Sequence, residues 1–264
     1  MLPDLSGATR IHLIVGDPVV QTKSPAGLTA EFAARGVDAV CVPMQVAAAD
    51  IEAFLAVAKR VQNVDGIVVT VPHKLAATRH CDVLSERSRA LGAVNAMRRG
   101  ADGRWSGDMT DGVALVAALR TAGCAPNGRR ALVIGAGGAG SAVVLALAEA
   151  GARAAVHDID AVRRDDLVRR LAAWKIAASA DPAGCDLVVN ATPLGMAPGD
   201  DLPVDVTRLG RGVVAADLVT RPAVTPFLTA ARERGAQIVT GADMFAPQAA
   251  ILADFLLSGR LAGS

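Results

Sequence analysis

A lysine just past a β-branched run, an aspartate that opens a helical pattern and a glycine-rich loop are the residues here whose types and spacing could do chemistry. The run Ile67-Val68-Val69-Thr70-Val71 leads into Pro72-His73-Lys74. Ligands of parallel α/β sheets bind beyond the carboxyl ends of the strands, so Lys74 stands where a site belongs. Gly92-Ala93-Val94-Asn95 adds an amide, and Gly107-Asp108-Met109-Thr110-Asp111-Gly112 adds a carboxylate. Oxidising an alcohol requires a group that takes the hydroxyl proton while hydride leaves the carbinol carbon. A lysine amine can do this where partial desolvation lowers its pKa, and an aspartate can orient it. Each residue alone reads blandly, since most lysines are solvated and Asp111 could simply begin a helix. Lysine is scarce, however: Lys23, Lys59, Lys74 and Lys175 are all there are among 27 basic residues. The chain has no tyrosine, so proton transfer must fall to another side chain.

The glycine loop is Gly135-Ala136-Gly137-Gly138-Ala139-Gly140, preceded by the apolar run 131–134 and followed by a helical pattern. Strand, turn and helix in that order let the backbone approach a pyrophosphate and offer it the free N–H groups and positive dipole end of a helix. Asp158 ends the next strand, where an acid can hydrogen-bond the adenosine ribose; a strand-end turn or helix cap is its other reading. Ile159 and Asp160 follow it. A 2′-phosphate would meet two carboxylates there, so the expected cofactor is NAD rather than NADP, with Arg163 and Arg164 one turn on as the counter-argument.

Strand-like and helix-like segments alternate almost throughout, which predicts an α/β fold with parallel sheets. Strands are expected at 11–15, 39–43, 66–71, 93–97, 131–134, 154–158, 187–191, 213–218 and 237–239, and helices at 25–35, 49–60, 111–122, 141–150, 161–174 and 244–257. Residues 123–130 read as a connector between domains. The 264 residues suit two domains, and 52% of them are hydrophobic, enough for two cores. No apolar run reaches the roughly 18 residues of a membrane span, and the N-terminus lacks a signal-peptide pattern. Basic and acidic residues nearly cancel, 27 against 26, with no basic stripe or aromatic platform, so nucleic acid is not an expected partner. Cys41, Cys81, Cys124 and Cys185 are scattered, which points to reduced thiols in a cytoplasm and against a zinc site.

Together these segments resemble the shikimate dehydrogenase family over essentially the whole chain. Val69-Thr70-Val71-Pro72-His73-Lys74 is similar to its catalytic-lysine motif, the Asn95 segment to its substrate-binding segment, and the Asp111 segment to its catalytic-aspartate segment. The resemblance implies hydride transfer between NAD(P) and a ring hydroxyl of shikimate, quinate or a related cyclic hydroxy acid. Lys74 and Asp111 would form the dyad, Thr70 would face the substrate and Asn95 would hold a neighbouring hydroxyl. Position by position, it implies that Thr22 and Ser24 bind a substrate carboxylate. Asn190 and Thr192 would lie beside the nicotinamide, Ile159 and Gly241 on the cofactor side, and Gln248 would reach back to the substrate. Gln248 otherwise reads as a polar residue on an amphipathic helix. The implied architecture is an N-terminal α/β substrate domain over 1–112, with helix 243–264 folding back onto it, and a Rossmann domain over 113–242, as monomer or homodimer.

Departures gather on the substrate side. Gln21 stands where the family usually has His, Leu28-Thr29 where it has His-Asn, Met109 where it has Asn, and Thr220 where it has Tyr. Fewer fixed donors should weaken shikimate binding or suit another ring acid, and Lys23 is either a substitute carboxylate contact or a solvated side chain. Two other readings are weighed. One is a two-domain relative such as methylene-tetrahydrofolate dehydrogenase, against which the Gly-Ala-Val-Asn and Thr-Asp-Gly segments speak. The other is a dinucleotide-binding regulator without catalysis, which has no need for both Lys74 and Asp111.

Overall fold

The computed structural model describes residues 5–20, 22 and 24–258; Gln21, Lys23 and the 259–264 end of the expected closing helix fall outside the described residues. The described chain divides into two units, one running to Thr110 and resuming at Ala249, the other running from Asp111 to Gln248.

The first unit contains β1 (Arg10–Gly16), α1 (Ser24–Ala34), β2 (Ala39–Gln45), α2 (Ile51–Ala58), β3 (Val64–Val69), α3 (Lys74–Thr78), β4 (Val83–Leu84), α4 (Glu86–Leu91), β5 (Ala96–Arg99) and β6 (Trp105–Asp108). Its sheet has the order β2-β1-β3-β5-β6-β4. It is mixed rather than parallel: β5 runs antiparallel to β3 and to β6. The turn at 100–103 makes β5 and β6 a hairpin, and the strand expected at 93–97 starts only at Ala96. Residues 86–91 lie in the polar, helix-competent stretch after Pro72 and form α4, whose start is capped by the Ser85 hydroxyl accepting from Ser88 N. One core cluster sits on one side of β1 and β3 around Val15, Leu55, Ile67 and Met97. Another joins Ile14, Leu28 and Phe32 to the last helix.

The second unit starts with α5 (Asp111–Thr121) and continues through β7 (Arg130–Ile134), α6 (Gly138–Glu149), β8 (Arg153–His157), α7 (Ala161–Arg170), β9 (Ala177–Ala178), β10 (Leu187–Asn190), β11 (Val214–Asp217), α8 (Pro226–Glu233), β12 (Gln237–Val239) and α9 (Gly241–Phe245). Its strand pairs are parallel, in the order β12-β11-β10-β7-β8-β9. The 123–130 connector lies inside this unit rather than at its border, because α5 packs on α6 and goes with it. The closing helix is two helices, α9 and α10 (Gln248–Leu257), since Pro247 has no N–H to continue the first. From Ala249 onward α10 belongs to the first unit, where Leu252, Ala253 and Leu256 are buried against Ile14, Leu28 and Phe32. No helix among the described residues is long and apolar enough to cross a membrane.

Candidate functional site

In a sheet whose strand order reverses, a crevice opens where chain connections leave two neighbouring strands in opposite directions. In the second unit that point lies between β7 and β10, and the loops after both strands meet there. The residue after β7 is Gly135, at φ +106°, a conformation that side chains rarely adopt. A Cβ on it would stand 2.8 Å from the Ala191 carbonyl oxygen, so the loop after β10 presses directly on the glycine turn. A Cβ at Gly140 would overlap the Gly135 carbonyl oxygen, which fixes α6 against the turn. Gly137, Gly138 and Ala139 are exposed at the start of α6. The result is a groove of about 570 Å³ floored by the glycine loop and walled by Ala191–Leu194 on one side and Asp158, Ile159 and Arg163 on the other. It can seat a pyrophosphate at the α6 N-terminus and a ribose at Asp158.

Asp158 is buried and accepts from Ala136 N at 2.7 Å and Asp160 N at 2.9 Å. Burial alone would raise its pKa, but those N–H groups, with Arg163 and His157, bring it below the ordinary carboxylate value. A depressed folded-state pKa contributes stability that is present above the unfolded value and is lost as pH falls through the folded one. The difference in melting temperature between wild type and Asp158→Asn should therefore shrink on acidification below the usual carboxylate range; a difference constant with pH would contradict this. Arg163 bridges Asp158 at 3.5 Å and Asp160 at 3.3 Å, whereas Arg164 turns to Asp165. Ile159 is almost wholly exposed, at 97%.

Asn190, expected beside the nicotinamide, does not line the groove: it is fully buried and its amide is used inside the unit. It donates to Leu194 O and Asp217 Oδ1, both at 3.0 Å, and accepts from Thr192 N and Thr192 Oγ1. Thr192 itself lines the groove, whereas Gly241 is not among its lining residues and is buried against the Val219 carbonyl. Asp217, which the sequence reading passed over, is fully buried at the end of β11. Burial pushes its carboxyl up from the ordinary value, against the donors Thr225, Val219 and Asn190. An acid ending an apolar strand was the available signal; Val219 and Thr225 lie nearby, but Asn190 lies too far along the chain to be read.

In the first unit, the loops after β1 and β3 are laced together. Thr70 N donates to Val15 O at 2.9 Å and Asp17 N to Val71 O at 3.0 Å. Lys74 begins α3, half-buried, and its carbonyl accepts from Val94 N at 3.0 Å. Asn95 is buried; its carbonyl accepts from Val69 N, and its amide exchanges hydrogen bonds with Thr110, Nδ2 to Oγ1 at 3.1 Å and Thr110 N to Oδ1 at 2.7 Å. Lys74 and Asn95 are thus held in one backbone frame. His73, a second residue not singled out from the sequence, anchors it: the ring is buried and its Nε2 lies 2.7 Å from Val46 O. A carbonyl only accepts, so Nε2 carries the proton.

The Thr22 hydroxyl donates to Val19 O at 2.8 Å, so the proton the sequence assigns to a substrate carboxylate is committed within its own loop. Ser24 opens α1. The family-departing residues divide: Leu28 and Met109 are buried, Thr29 accepts from Cys41 N at 3.0 Å, and Thr220 is exposed. In the second unit, Asp111 opens α5 and Gln248 Nε2 lies 3.4 Å from its Oδ1. No group of three His, Cys, Asp or Glu among the described residues could hold a metal.

Residues 14–97 match the family model described as the shikimate dehydrogenase substrate binding domain. The chain is 35% identical over 246 residues to shikimate dehydrogenase (NADP(+)) of Lysinibacillus sphaericus, covering 90% of this chain and 88% of that one. Among solved structures, it superposes with a TM-score of 0.84 and 30% identity on shikimate 5-dehydrogenase of Thermus thermophilus in complex with NADP(H) and shikimate, over 95% of this chain and 94% of that one. Quinate dehydrogenase of Corynebacterium glutamicum in complex with NAD matches with a TM-score of 0.80 and 28% identity, over 95% and 94% of the two chains.

Proposed function

Because the chain belongs to the shikimate dehydrogenase family, we propose that it oxidises a ring hydroxyl of shikimate, quinate or a related cyclic hydroxy acid with NAD as the favoured cofactor. The observation that carries the reading is the glycine-floored groove at the β7–β10 crossover, with an acid on its wall where a ribose would lie. Gly135, Gly137, Gly138 and Ala139 would take the pyrophosphate, Asp158 the adenosine ribose and Thr192 the nicotinamide side. A nicotinamide dinucleotide held there supplies the hydride acceptor. Lys74 takes the proton from the reacting hydroxyl oxygen, Asp111 orients the lysine amine, and Asn95 and Thr70 hold the substrate. Gln248 stands with Asp111 in this assignment, which agrees with the 3.4 Å approach of their side chains. The substrate-binding unit is assigned to the first part of the chain and the dinucleotide-binding unit to the second.

The preference for NAD rests on charge. The relatives supply both precedents, since the Lysinibacillus relative carries NADP in its name, the Thermus enzyme was solved with NADP(H) and the Corynebacterium quinate dehydrogenase with NAD. Locally, a 2′-phosphate would meet Asp158 and Asp160, and the guanidinium at hand, Arg163, is already shared between these two. Crossing shikimate and quinate with NAD⁺ and NADP⁺, followed by absorbance of the reduced cofactor, tests the proposal. A higher kcat/KM with NADP⁺ would reverse the cofactor assignment, and no turnover of any ring hydroxy acid would remove the activity. Asp158→Asn keeps an acceptor for Ala136 N but loses the charge and releases Arg163. It should cut the NAD⁺/NADP⁺ ratio of kcat/KM about tenfold, the scale of one charge-assisted hydrogen bond. An unchanged ratio would show that Asp158 does not choose the cofactor.

A further inference from the structure

The buried carboxylate of Asp217 touches neither the groove nor any residue assigned to proton transfer, yet it ends a chain of bonds that reaches the groove wall. Its Oδ2 accepts from Thr225 Oγ1 at 2.6 Å, and its Oδ1 accepts from Val219 N at 2.9 Å and from Asn190 Nδ2 at 3.0 Å. The second N–H of Asn190 holds Leu194 O, and its oxygen holds both the N–H and the hydroxyl of Thr192. Thr192 Oγ1 in turn accepts from Leu194 N at 3.2 Å. Every polar atom of the Asn190 side chain is thereby used, and the carboxylate behind it is its one charged partner among the described residues. Thr225 closes the network from the other side: its hydroxyl caps α8, and its methyl side packs where Gly195 passes, leaving 3.2 Å to a Cβ built there. Ala191–Leu194 is the segment that presses on the glycine turn.

We infer that Asp217 is a positioning residue for the dinucleotide: acting through Asn190, it fixes the Ala191–Leu194 wall at the spacing from the glycine loop that the cofactor requires. The inference rests on the proposed dinucleotide site. A buried network whose members are all satisfied rigidifies its surroundings, and one that loses its central acceptor leaves N–H groups unpaired. Without Asp217, Asn190 and Val219 each lose an acceptor, the wall is no longer pre-set, and binding has to order it.

The test is direct titration of the whole protein with NAD⁺, NADH and NADP⁺ by calorimetry, together with steady-state kinetics and melting temperature, for wild type, Asp217→Ala, Asp217→Asn, Thr225→Val and Thr225→Ser. Asp217→Ala should weaken dinucleotide binding tenfold or more and raise KM for the dinucleotide to match. KM for the ring acid should stay within about twofold and kcat at saturating dinucleotide within about threefold. Asp217→Asn should recover most of the affinity, because its oxygen can still accept from Asn190 and Val219 while its amide donates to Thr225. If Asp217→Ala does not fold, the Thr225 pair decides: Val, without the hydroxyl, should bind weakly, and Ser, with it, should bind normally. Variants that melt earlier but bind as wild type per folded molecule would overturn the inference and leave Asp217 as a purely structural acid. A wild-type protein that binds neither NAD nor NADP would overturn the dinucleotide reading itself.

Discussion

Lys74→Ala lowers turnover of the ring acid by orders of magnitude while dinucleotide affinity stays within about threefold, in the expected result. The removed atoms are side-chain atoms only. The hydrogen bonds that fix residue 74, from Val94 N to its carbonyl and from His73 to Thr70 and Val46, use the main chain and the neighbouring ring, so the frame around Asn95 survives the substitution. The dinucleotide groove is built wholly from residues of the other unit. What is lost is the amine assigned to take the hydroxyl proton, and general bases of this kind contribute about 10² to 10⁴ in rate. Lys74→Arg sharpens the test, because a guanidinium keeps the positive charge and the reach but does not deprotonate near neutral pH. A merely electrostatic role would be rescued by arginine; a proton-transfer role leaves arginine as inactive as alanine. A loss below about tenfold for Lys74→Ala, about 1.4 kcal/mol, would argue against proton transfer altogether.

The glycine loop was legible because all of its meaning is local. An apolar strand, a turn that needs left-handed φ and a helix are consecutive in the chain, and Gly135 is found at φ +106° between β7 and α6. Lys74 was placed beyond a strand end for the same reason, since β3 stops at Val69 and α3 starts at Lys74. What failed depended on partners distant in sequence. A period-two pattern carries no strand direction, so the reversal of β5 against β3 could not be read from residues 93–97. The resemblance implies that Asn190 lies beside the nicotinamide, and it carries no information on what the side chain itself bonds. In the fold its amide is shared between Leu194 O nearby and Asp217, which arrives from β11. The break between α9 and α10 is a different kind of miss, because Pro247 was visible in the sequence and its missing N–H should have ended the helix there.

Gly112→Val is expected to cost more than any other single glycine-to-valine change in the Asp111 segment, and for a reason outside that segment. A Cβ at residue 112 would overlap the carbonyl oxygen of Ala142 and stand 2.8 Å from the Ala146 Cβ, so α5 crosses α6 with backbone nearly against backbone at this point. Asp111 opens α5, and the glycine loop leads into α6. The glycine that follows the aspartate therefore sets the distance between the helix that Asp111 opens and the helix that follows the glycine loop. A branched side chain there must push the helices apart, and such overpacking costs about 1–3 kcal/mol or more. At roughly 2–4 °C per kcal/mol for a unit of this size, the melting temperature should fall by about 2–12 °C. Dinucleotide affinity and turnover should fall together, since both helices move. Gly210→Ala is the control, because nothing lies within 4 Å of a Cβ built at that position, and it should melt as wild type does. If Gly112→Val melts and turns over like that control, the α5–α6 crossing does not position Asp111.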